Sequence, residues 1–160
     1  MNLGLRPARE DEQPRLFALH REAMGRYIEL AWGSWDDEVQ YGLFRQRFET
    51  GRMRVLEVDG ETAGILELTR KDNCVGVANI EIARPYRRRG IGSALLKEIQ
   101  RQARKDGNQV RLQVLRTNPA QRLYRRLGFQ VTGESSTYYF MEWSPLSRQA
   151  TRPASAPAQR

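Results

Sequence analysis

The sequence predicts one α/β domain built from seven strands and four helices, and three observations indicate this class. The length of 160 residues lies within the roughly 100 to 200 residues of a single domain. Short runs rich in β-branched residues alternate with longer segments whose apolar residues recur at helical spacing. The only cysteine is Cys74, so packing rather than an intrachain disulfide must hold the domain together.

The chain begins with a predicted strand and a long helix. Residues 3–6 form an apolar start that Pro7 ends. Asp11 is placed to cap the helix that follows, and Pro14 lies in its first turn. The apolar stripe of this helix is predicted to face the sheet and consists of Leu16, Phe17, Leu19, Ala23, Tyr27, Ile28 and Leu30.

A turn with two tryptophans, Trp32 and Trp35, leads into a second predicted helix. Ser34 or Asp36 is placed to cap that helix. The tryptophans and Tyr27 belong either to the core or to the wall of a substrate pocket, and their pattern alone leaves both interpretations open.

Three predicted strands follow, at residues 54–58, 63–69 and 77–82. The dipeptide Asp59-Gly60 between the first two is typical of a tight hairpin turn. The third strand contains Val77, Ile80 and Ile82, which suit a buried central position. These strands should form an antiparallel meander.

The second half predicts two helices among the remaining strands. One helix starts at Gly92 and stops at Gly107, and a short one begins at Asn118-Pro119, with the asparagine as cap. The remaining strands are predicted at residues 110–115, 129–132 and 137–143. We assign residues 1–144 to the domain. Residues 145–160 are rich in proline and small polar residues, which predicts a disordered tail.

The formal net charge is +8, and only three of the 27 basic residues are lysines. Such a charge suits phosphate binding or nucleic acid. The arginines are spread along the chain, without the aromatic-interleaved basic motif of an RNA-binding protein. Nucleic acid is therefore not expected as the primary partner.

The start of the sequence turns charged too early for a signal peptide, and no apolar run approaches the ~18 residues of a membrane span. We therefore expect a cytoplasmic protein that does not enter a membrane. His20 is the only histidine and has no clustered cysteines nearby, so a partly exposed helix residue is predicted there rather than a metal ligand.

The stretch between the central strand and the following helix predicts an anion-binding loop. It contains three arginines at positions 87–89, then Gly90 and Gly92. Free amides and the helix dipole favour negative charge at a helix start. Glycines allow close approach of a phosphate, and arginines donate to its oxygens. The alternative is a solvated basic turn whose glycines only end the strand.

Two nucleotide motifs do not fit this loop. A dinucleotide fingerprint needs glycine or alanine where Leu95 stands, and a P-loop needs lysine directly after Gly92, where Ser93 stands. The pattern Arg-x-x-Gly-x-Gly in residues 87–92 instead resembles the acetyl-CoA loop of the GNAT N-acetyltransferase superfamily.

A second GNAT motif lies downstream, where a strand, Asn118 and a helix with Leu123-Tyr124 end in Gly128-Phe129. The resemblance covers residues 3–143 and is sharp between residues 80 and 129. Asn118 lies six residues before Tyr124, one fewer than the commoner family spacing, which puts the role of Asn118 in doubt. Pro85 is also one residue nearer Gly90 than usual.

The resemblance implies a mixed, mostly antiparallel central sheet of about seven strands flanked by four helices. It also implies acetyl-CoA as co-substrate and no metal. The pyrophosphate is expected on the amides of residues 88–93 and the pantetheine arm along residues 80–83. The cofactor-binding residues implied are Ile80, Ile82, Ala83, Arg87, Arg88, Arg89, Gly90, Ile91, Gly92, Ser93, Asn118 and Tyr124.

The implied reaction is direct attack of an amine on the thioester. Tyr124 is expected to protonate the leaving thiolate, and the amide of Ile82 to polarise the carbonyl. Strand alternation points Glu81 opposite to Ile80 and Ile82. Glu81 then either accepts the ammonium proton or, as an exposed carboxylate, only attracts a cationic substrate.

In GNAT proteins the connection between the first two helices borders the acceptor site, so Tyr27, Trp32 and Trp35 are implied as substrate-binding residues. A small-molecule amine is favoured over a protein N-terminus, and a homodimer is compatible with the family. The alternative is a GNAT-like domain that binds acetyl-CoA as a sensor or interaction module without turnover. The presence of Tyr124 and both loop glycines favours the enzyme.

Overall fold

A computed structural model of the chain describes residues 1–145. The strands are β1 (Leu3–Pro7), β2 (Met53–Val58), β3 (Glu61–Lys71), β4 (Cys74–Ile82), β5 (Gln109–Leu115), β6 (Gln130–Glu134) and β7 (Tyr138–Trp143). The helices are α1 (Gln13–Trp32), α2 (Asp37–Glu49), α3 (Ile91–Asp106) and α4 (Gln121–Arg126). The tail that was predicted to be disordered lies outside the described residues, apart from Pro145.

The seven strands within residues 1–145 form one sheet in the order β1-β2-β3-β4-β5-β7-β6. Neighbouring strands are antiparallel, with the exception of β4 and β5, which are parallel. A parallel pair needs a crossover connection, and α3 provides it. The predicted mixed, mostly antiparallel sheet of seven strands with four helices is confirmed.

The predicted meander is also confirmed, because β2, β3 and β4 pair in sequence. Asp59 and Gly60 both have positive φ, 51° and 85°, as a tight hairpin turn with two left-handed residues requires. Asp-Gly is well suited to this turn because glycine, and to a lesser degree aspartate, tolerates left-handed backbone. The turn thereby sets the register of the central strands.

The helices cover both faces of the sheet. On one face, α1 and α2 bury a cluster formed by Leu16, Phe44, Phe48, Met53, Val55 and Ile65. On the other face, α3 and α4 pack on a larger cluster that includes Leu96, Ile99, Val110, Leu112, Tyr124, Phe129 and Met141. Apolar burial of this kind stabilises the domain by about 25 cal/mol per Å² removed from water.

The predicted cap of α1 is wrong. Asp11 lies inside a short 3-10 helix, Glu10–Glu12, which precedes α1, and the residue at the cap position is Glu12. Glu12 instead turns its carboxylate to Arg6 on β1 and to the amide of Arg9. For α2, Asp36 is the cap, because its Oδ1 accepts from the Val39 amide at 3.1 Å.

Within residues 1–145, no helix combines the length and the apolar character that a membrane crossing requires.

Candidate active site

The site begins where two parallel strands part. β4 pairs with β5 only from Cys74, opposite Gln109, to Val77, opposite Leu112. Directly after this pairing the register between β3 and β4 shifts, which makes Ala78 an extra residue, or β-bulge. A bulge bends the strand that carries it. Beyond the bulge a cleft of about 620 Å³ lies between β4, β5 and α1.

In β4, the backbone N–H and C=O groups of every second residue point away from β3 and towards this cleft. The amide of Ala83 donates to the carbonyl of Ala63 at 2.8 Å, so alternation directs the polar groups of Ile82 away from β3. The Ile82 carbonyl accepts from Arg87 Nε at 2.8 Å. Its amide is therefore directed towards the space that β5 has vacated.

The side chains of β4 alternate across the sheet. Ile80 and Ile82 pack with Ile91 on the α3 side. Glu81 is buried on the other side, where its carboxylate bonds a side chain of α1. The predicted opposition of Glu81 to its two isoleucine neighbours is confirmed, but the predicted alternative of an exposed carboxylate is wrong, because Glu81 is only 2% exposed.

Glycine at position 64 of β3, which pairs with Ile82, permits the close packing of β3 on β4. A Cβ at Gly64 would overlap the backbone carbonyl oxygen of Glu81. The position therefore excludes every larger residue, and it fixes where Glu81 lies relative to the neighbouring strand.

The predicted anion-binding loop follows β4. A 3-10 turn, Arg84–Tyr86, leads to Arg88 and Gly90, whose φ angles of 61° and 76° are left-handed. The first bond of α3 runs from the Ala94 amide to the Gly90 carbonyl at 2.9 Å, so the preceding amides have no intrahelical acceptor. A Cβ at Gly90 would have no heavy atom within 4 Å, so the space above the loop is open. This geometry fits a phosphate.

The three arginines of the loop differ in their contacts. Arg87 is already engaged, since its Nε bonds Ile82 and its Nη2 contacts Glu22 at 2.9 Å. Arg88 is exposed, and the guanidinium of Arg89 lies over the ring of Tyr86. Arg87 thus ties the loop to β4 and α1, while the other two arginines extend from its surface.

The other predicted loop residues divide in the same way. Ile91 is buried in the core, so only its backbone amide is available to a ligand. A Cβ at Gly92 would meet Leu123 at an ordinary 3.6 Å, and Ser93 is half-buried beside it in α3.

The second motif supplies Asn118 and Tyr124 to the cleft. Asn118 Oδ1 accepts from the Ala120 amide at 2.9 Å, and α4 begins just beyond, at Gln121. Asn118 therefore shapes the turn before the helix while lining the cleft. Tyr124 is 7% exposed, and burial raises its pKa to about 12.

A buried polar cluster lies against the cleft on the α1 side. Glu81 Oε1 is 2.7 Å from His20 Nδ1 and 2.7 Å from Asn79 Nδ2. His20 is 6% exposed, so its prediction as a partly exposed residue is wrong. Phe17, Trp35 and Phe44 surround the imidazole with ring centroids 5.7 to 6.4 Å away.

Charges from neighbouring elements complete the cluster. Arg47 of α2 binds Glu67 of β3 at 2.8 Å and reaches Glu81 Oε1 at 4.0 Å. Burial raises the pKa of Glu81, but the hydrogen bond from His20 and the charges of His20 and Arg47 outweigh it, so the pKa lies below its usual value. Glu81 is therefore an anion at neutral pH.

The predicted substrate-binding aromatics are not brought together. Trp32 lines the cleft, is 53% exposed and meets Tyr138 edge-on at 6.0 Å. Trp35 stacks on Phe17 and its indole donates to Asp37 at 2.6 Å. Tyr27 contributes its carbonyl to a bond from Thr117 Oγ1. Of the three, Trp32 is the one that borders the cleft.

Sequence reasoning missed His20, Asn79 and Arg47 as members of the site. A signal for His20 was present, because it follows Leu16 by four residues and precedes Ile28 by eight, and both are buried. Asn79 lies two residues before Glu81 and so shares its face. Nothing local in the sequence indicates Arg47, whose partners lie on other elements.

The chain matches a family profile described as Acetyltransferase (GNAT) domain over residues 24–145, which is more than half of its length. It therefore belongs to the GNAT acetyltransferase family. Among curated proteins, none shows significant sequence similarity to this chain.

Solved structures share this fold. The PaiA N-acetyltransferase from Thermoplasma acidophilum, in complex with coenzyme A, has 20% identity and a TM-score of 0.68, over 90% of this chain and 99% of that one. The ribosomal-protein-S18-alanine N-acetyltransferase from Escherichia coli has 16% identity and a TM-score of 0.63, over 99% of both chains. An acetyltransferase from Thermus thermophilus has 16% identity and a TM-score of 0.70, over 90% and 97%. At these identities the likeness concerns the fold.

Proposed function

We propose that this protein transfers the acetyl group of acetyl-CoA to a primary amine, with a small molecule as acceptor, by direct attack of the amine. The observation that carries the proposal is the cleft, whose wall contains Tyr124 and the anionic cluster of Glu81. Strand β4, which lines this cleft, leads through the loop into the open start of α3, where a phosphate fits.

The residues present suit acetyl-CoA. The free amides before Ala94, together with Arg88 and Arg89, would hold the pyrophosphate. The vacated edge of β4, with the Ile82 amide directed towards the gap, would pair with the pantetheine arm as an added strand does. Bound there, acetyl-CoA supplies an activated acetyl group as its thioester. The Ile82 amide would polarise the carbonyl of that group.

Tyr124 is the proposed general acid. With its pKa raised to about 12 by burial, the phenol carries its proton throughout the neutral range. A thiolate released into the same cleft is destabilised by the same burial, which raises its affinity for a proton. The difference in proton affinity between the thiolate and the Tyr124 phenolate is therefore smaller than in water. This supports proton transfer from the Tyr124 hydroxyl to the thiolate.

The acceptor side of the cleft supports a small amine with an apolar body. Its wall contains Met24, Ile28, Trp32 and Leu43, and Glu81 and Arg47 lie on the same side. One anionic centre among apolar side chains suits one ammonium group. A polyamine would place further charges against the apolar wall, and burying a charge without a partner is costly.

The experiment measures free-thiol release from acetyl-CoA with a panel of acceptors that includes benzylamine, spermidine, an aminoglycoside, an amino acid and a peptide with a free N-terminus. We expect turnover of small monoamines in preference to spermidine. Tyr124→Phe should lower kcat about 10²- to 10⁴-fold, because a positioned acid contributes that much, with little change in acetyl-CoA affinity.

Tyr139→Phe is the matched control. It removes a hydroxyl from a half-buried tyrosine on β7 that does not line the cleft, and it should leave kcat unchanged. Acetyl-CoA binding by calorimetry without thiol release for any amine would favour the sensor alternative. A Tyr124→Phe variant within about threefold of the wild-type kcat, with chemistry rate-limiting, would remove the acid role.

A further inference from the structure

Glu81 uses only one of its two oxygens. Oε1 accepts from both His20 and Asn79, whereas Oε2 is, within residues 1–145, the one buried side-chain oxygen or nitrogen without a hydrogen-bond partner. Neither oxygen is placed to take a proton from a molecule in the cleft, because one is occupied and the other is enclosed. Glu81 is therefore poorly placed to act directly as a base.

The hydrogen bond assigns the tautomer of His20. An ionised carboxylate can only accept, so the proton between the two groups belongs to His20 Nδ1. In the neutral ring the other nitrogen, Nε2, then has a free lone pair. Nε2 has no hydrogen-bond partner among the described residues, yet it is not among their buried unpartnered atoms, so it keeps contact with the solvent of the cleft.

From this geometry we infer that His20 Nε2 accepts the proton of the incoming ammonium, and that Glu81 is a positioning residue that orients the imidazole and stabilises its charged form. The inference deepens the proposed amine acetylation and rests on it for the reaction. The orientation of the ring does not depend on which amine is the acceptor.

The charged groups around His20 carry a net charge of −1, which one added proton neutralises. The titratable and charged groups that face His20 are Glu81 of β4, Arg47 of α2 and, through Arg47, Glu67 of β3. Two carboxylates and one guanidinium leave one negative charge uncompensated while the imidazole is neutral. Protonation of Nε2 neutralises the cluster, so the negative charge of Glu81 stabilises the proton that Nε2 has accepted.

Every proton of the reaction has a donor and an acceptor in this scheme. The ammonium gives one proton to Nε2, which later releases it to solvent. The amine nitrogen forms a bond to the acetyl carbon as the carbon–sulfur bond breaks, and the thiolate takes the proton of the Tyr124 hydroxyl. The second proton that the nitrogen loses restores Tyr124. One proton is released for each acetyl group transferred.

The first test determines which nitrogen of the His20 ring carries the proton. His20 is the only histidine in the chain, so ¹⁵N-labelled protein freed of any histidine tag gives one pair of imidazole nitrogen signals. We expect the neutral ring to carry its proton on Nδ1. A proton on Nε2 in the neutral ring would overturn the inference.

The second test uses His20→Asn, whose amide can still donate to Glu81 but which lacks the accepting Nε2. With acetyl-CoA and the best amine of the panel, kcat/KM at pH 7.5 should fall about 10²- to 10⁴-fold. The decline of the wild-type rate towards low pH should be lost in the variant, because the variant has no imidazole to protonate. Acetyl-CoA affinity by calorimetry should stay within about twofold.

Arg21→Gln, at an exposed position of the same helix, is the control and should retain wild-type kinetics. If His20→Asn turns over within about threefold of wild type with an unchanged pH profile, the inference is wrong. If no amine is acetylated at all, the proposed function fails, and the nitrogen signals still decide whether His20 is held as inferred.

Discussion

Glu12 and Glu81 are both buried, at 7% and 2% exposure, but their surroundings differ. Glu12 lies at the start of α1 and does not line the cleft, and both of its oxygens accept hydrogen bonds. They accept from Arg6 at 2.6 and 2.9 Å, from Arg15 at 3.1 Å and from the Arg9 amide at 2.8 Å. Glu81 has two partners on one oxygen and none on the other.

The comparison separates a carboxylate that stabilises the fold from one that is available for function. Hydrogen bonds from Arg6 bring the pKa of Glu12 down to about 2, so its charge is favoured by the folded state. A buried oxygen without a partner costs about 1 to 3 kcal/mol. A folded protein retains an unpartnered oxygen of this kind where the charge of the carboxylate serves ligand binding or proton transfer, and we assign Glu81 to this case.

The largest effect is expected for Glu81→Gln. The amide can still accept from His20, but it no longer stabilises a charged imidazole, so kcat/KM should fall at least about 10²-fold in the thiol-release assay. Because the change also removes a buried charge, the thermal midpoint should stay within a few degrees of wild type. A large loss of stability with normal turnover would place Glu81 in the same class as Glu12.

The opposite result is expected for Glu12→Gln. It weakens two charge-assisted bonds from Arg6, each worth about 1.5 to 3 kcal/mol, in a region that does not line the cleft. Urea unfolding should show a loss of that order, while turnover of the folded variant remains normal. A fall in kcat at unchanged stability would contradict the distinction between the two glutamates.

A smaller effect should appear in acid. The pKa of Glu12 lies near 2 in the folded protein, against an ordinary value of 4.5. Its contribution to the free energy of unfolding is therefore complete above about pH 4.5 and is lost as the pH falls towards 2. The stability difference between wild type and Glu12→Gln should shrink across this range. A constant difference from pH 6 to pH 2.5 would show that the charge of Glu12 is not responsible.

The fold was predictable where its determinants are local. The hairpin at Asp59-Gly60 and the helix stop at Gly107, which has a φ of 71°, depend on residues that are adjacent in sequence. The loop of residues 87–92 was predictable for the same reason. The cap of α1 was not, because Glu12 and Asp11 are both acidic, and the choice between them depends on Arg6 of a neighbouring strand.

The polar cluster of the site was beyond prediction because its contacts join distant segments. His20 and Glu81 are 61 positions apart, and Arg47 meets Glu67 across 20 positions. Helical periodicity placed Leu16 and Ile28 on the buried face of α1 but wrongly included Leu30, which is 62% exposed. A polar residue on that face is interpreted correctly only when its partner is known. The contact between Arg87 and Glu22 could not be predicted from the sequence for the same reason.

The parting of β4 and β5 also bears on how the protein is made. The walls of the cleft extend along the chain from His20 to Tyr138, so all of this segment must leave the ribosome before the binding surface is complete. The meander of β2 to β4 has local contacts and can form early, whereas the parallel pairing of β4 with β5 must wait for α3. A molecule that binds the cleft therefore stabilises only chains in which this whole segment has folded, and its concentration sets how strongly they resist unfolding and degradation.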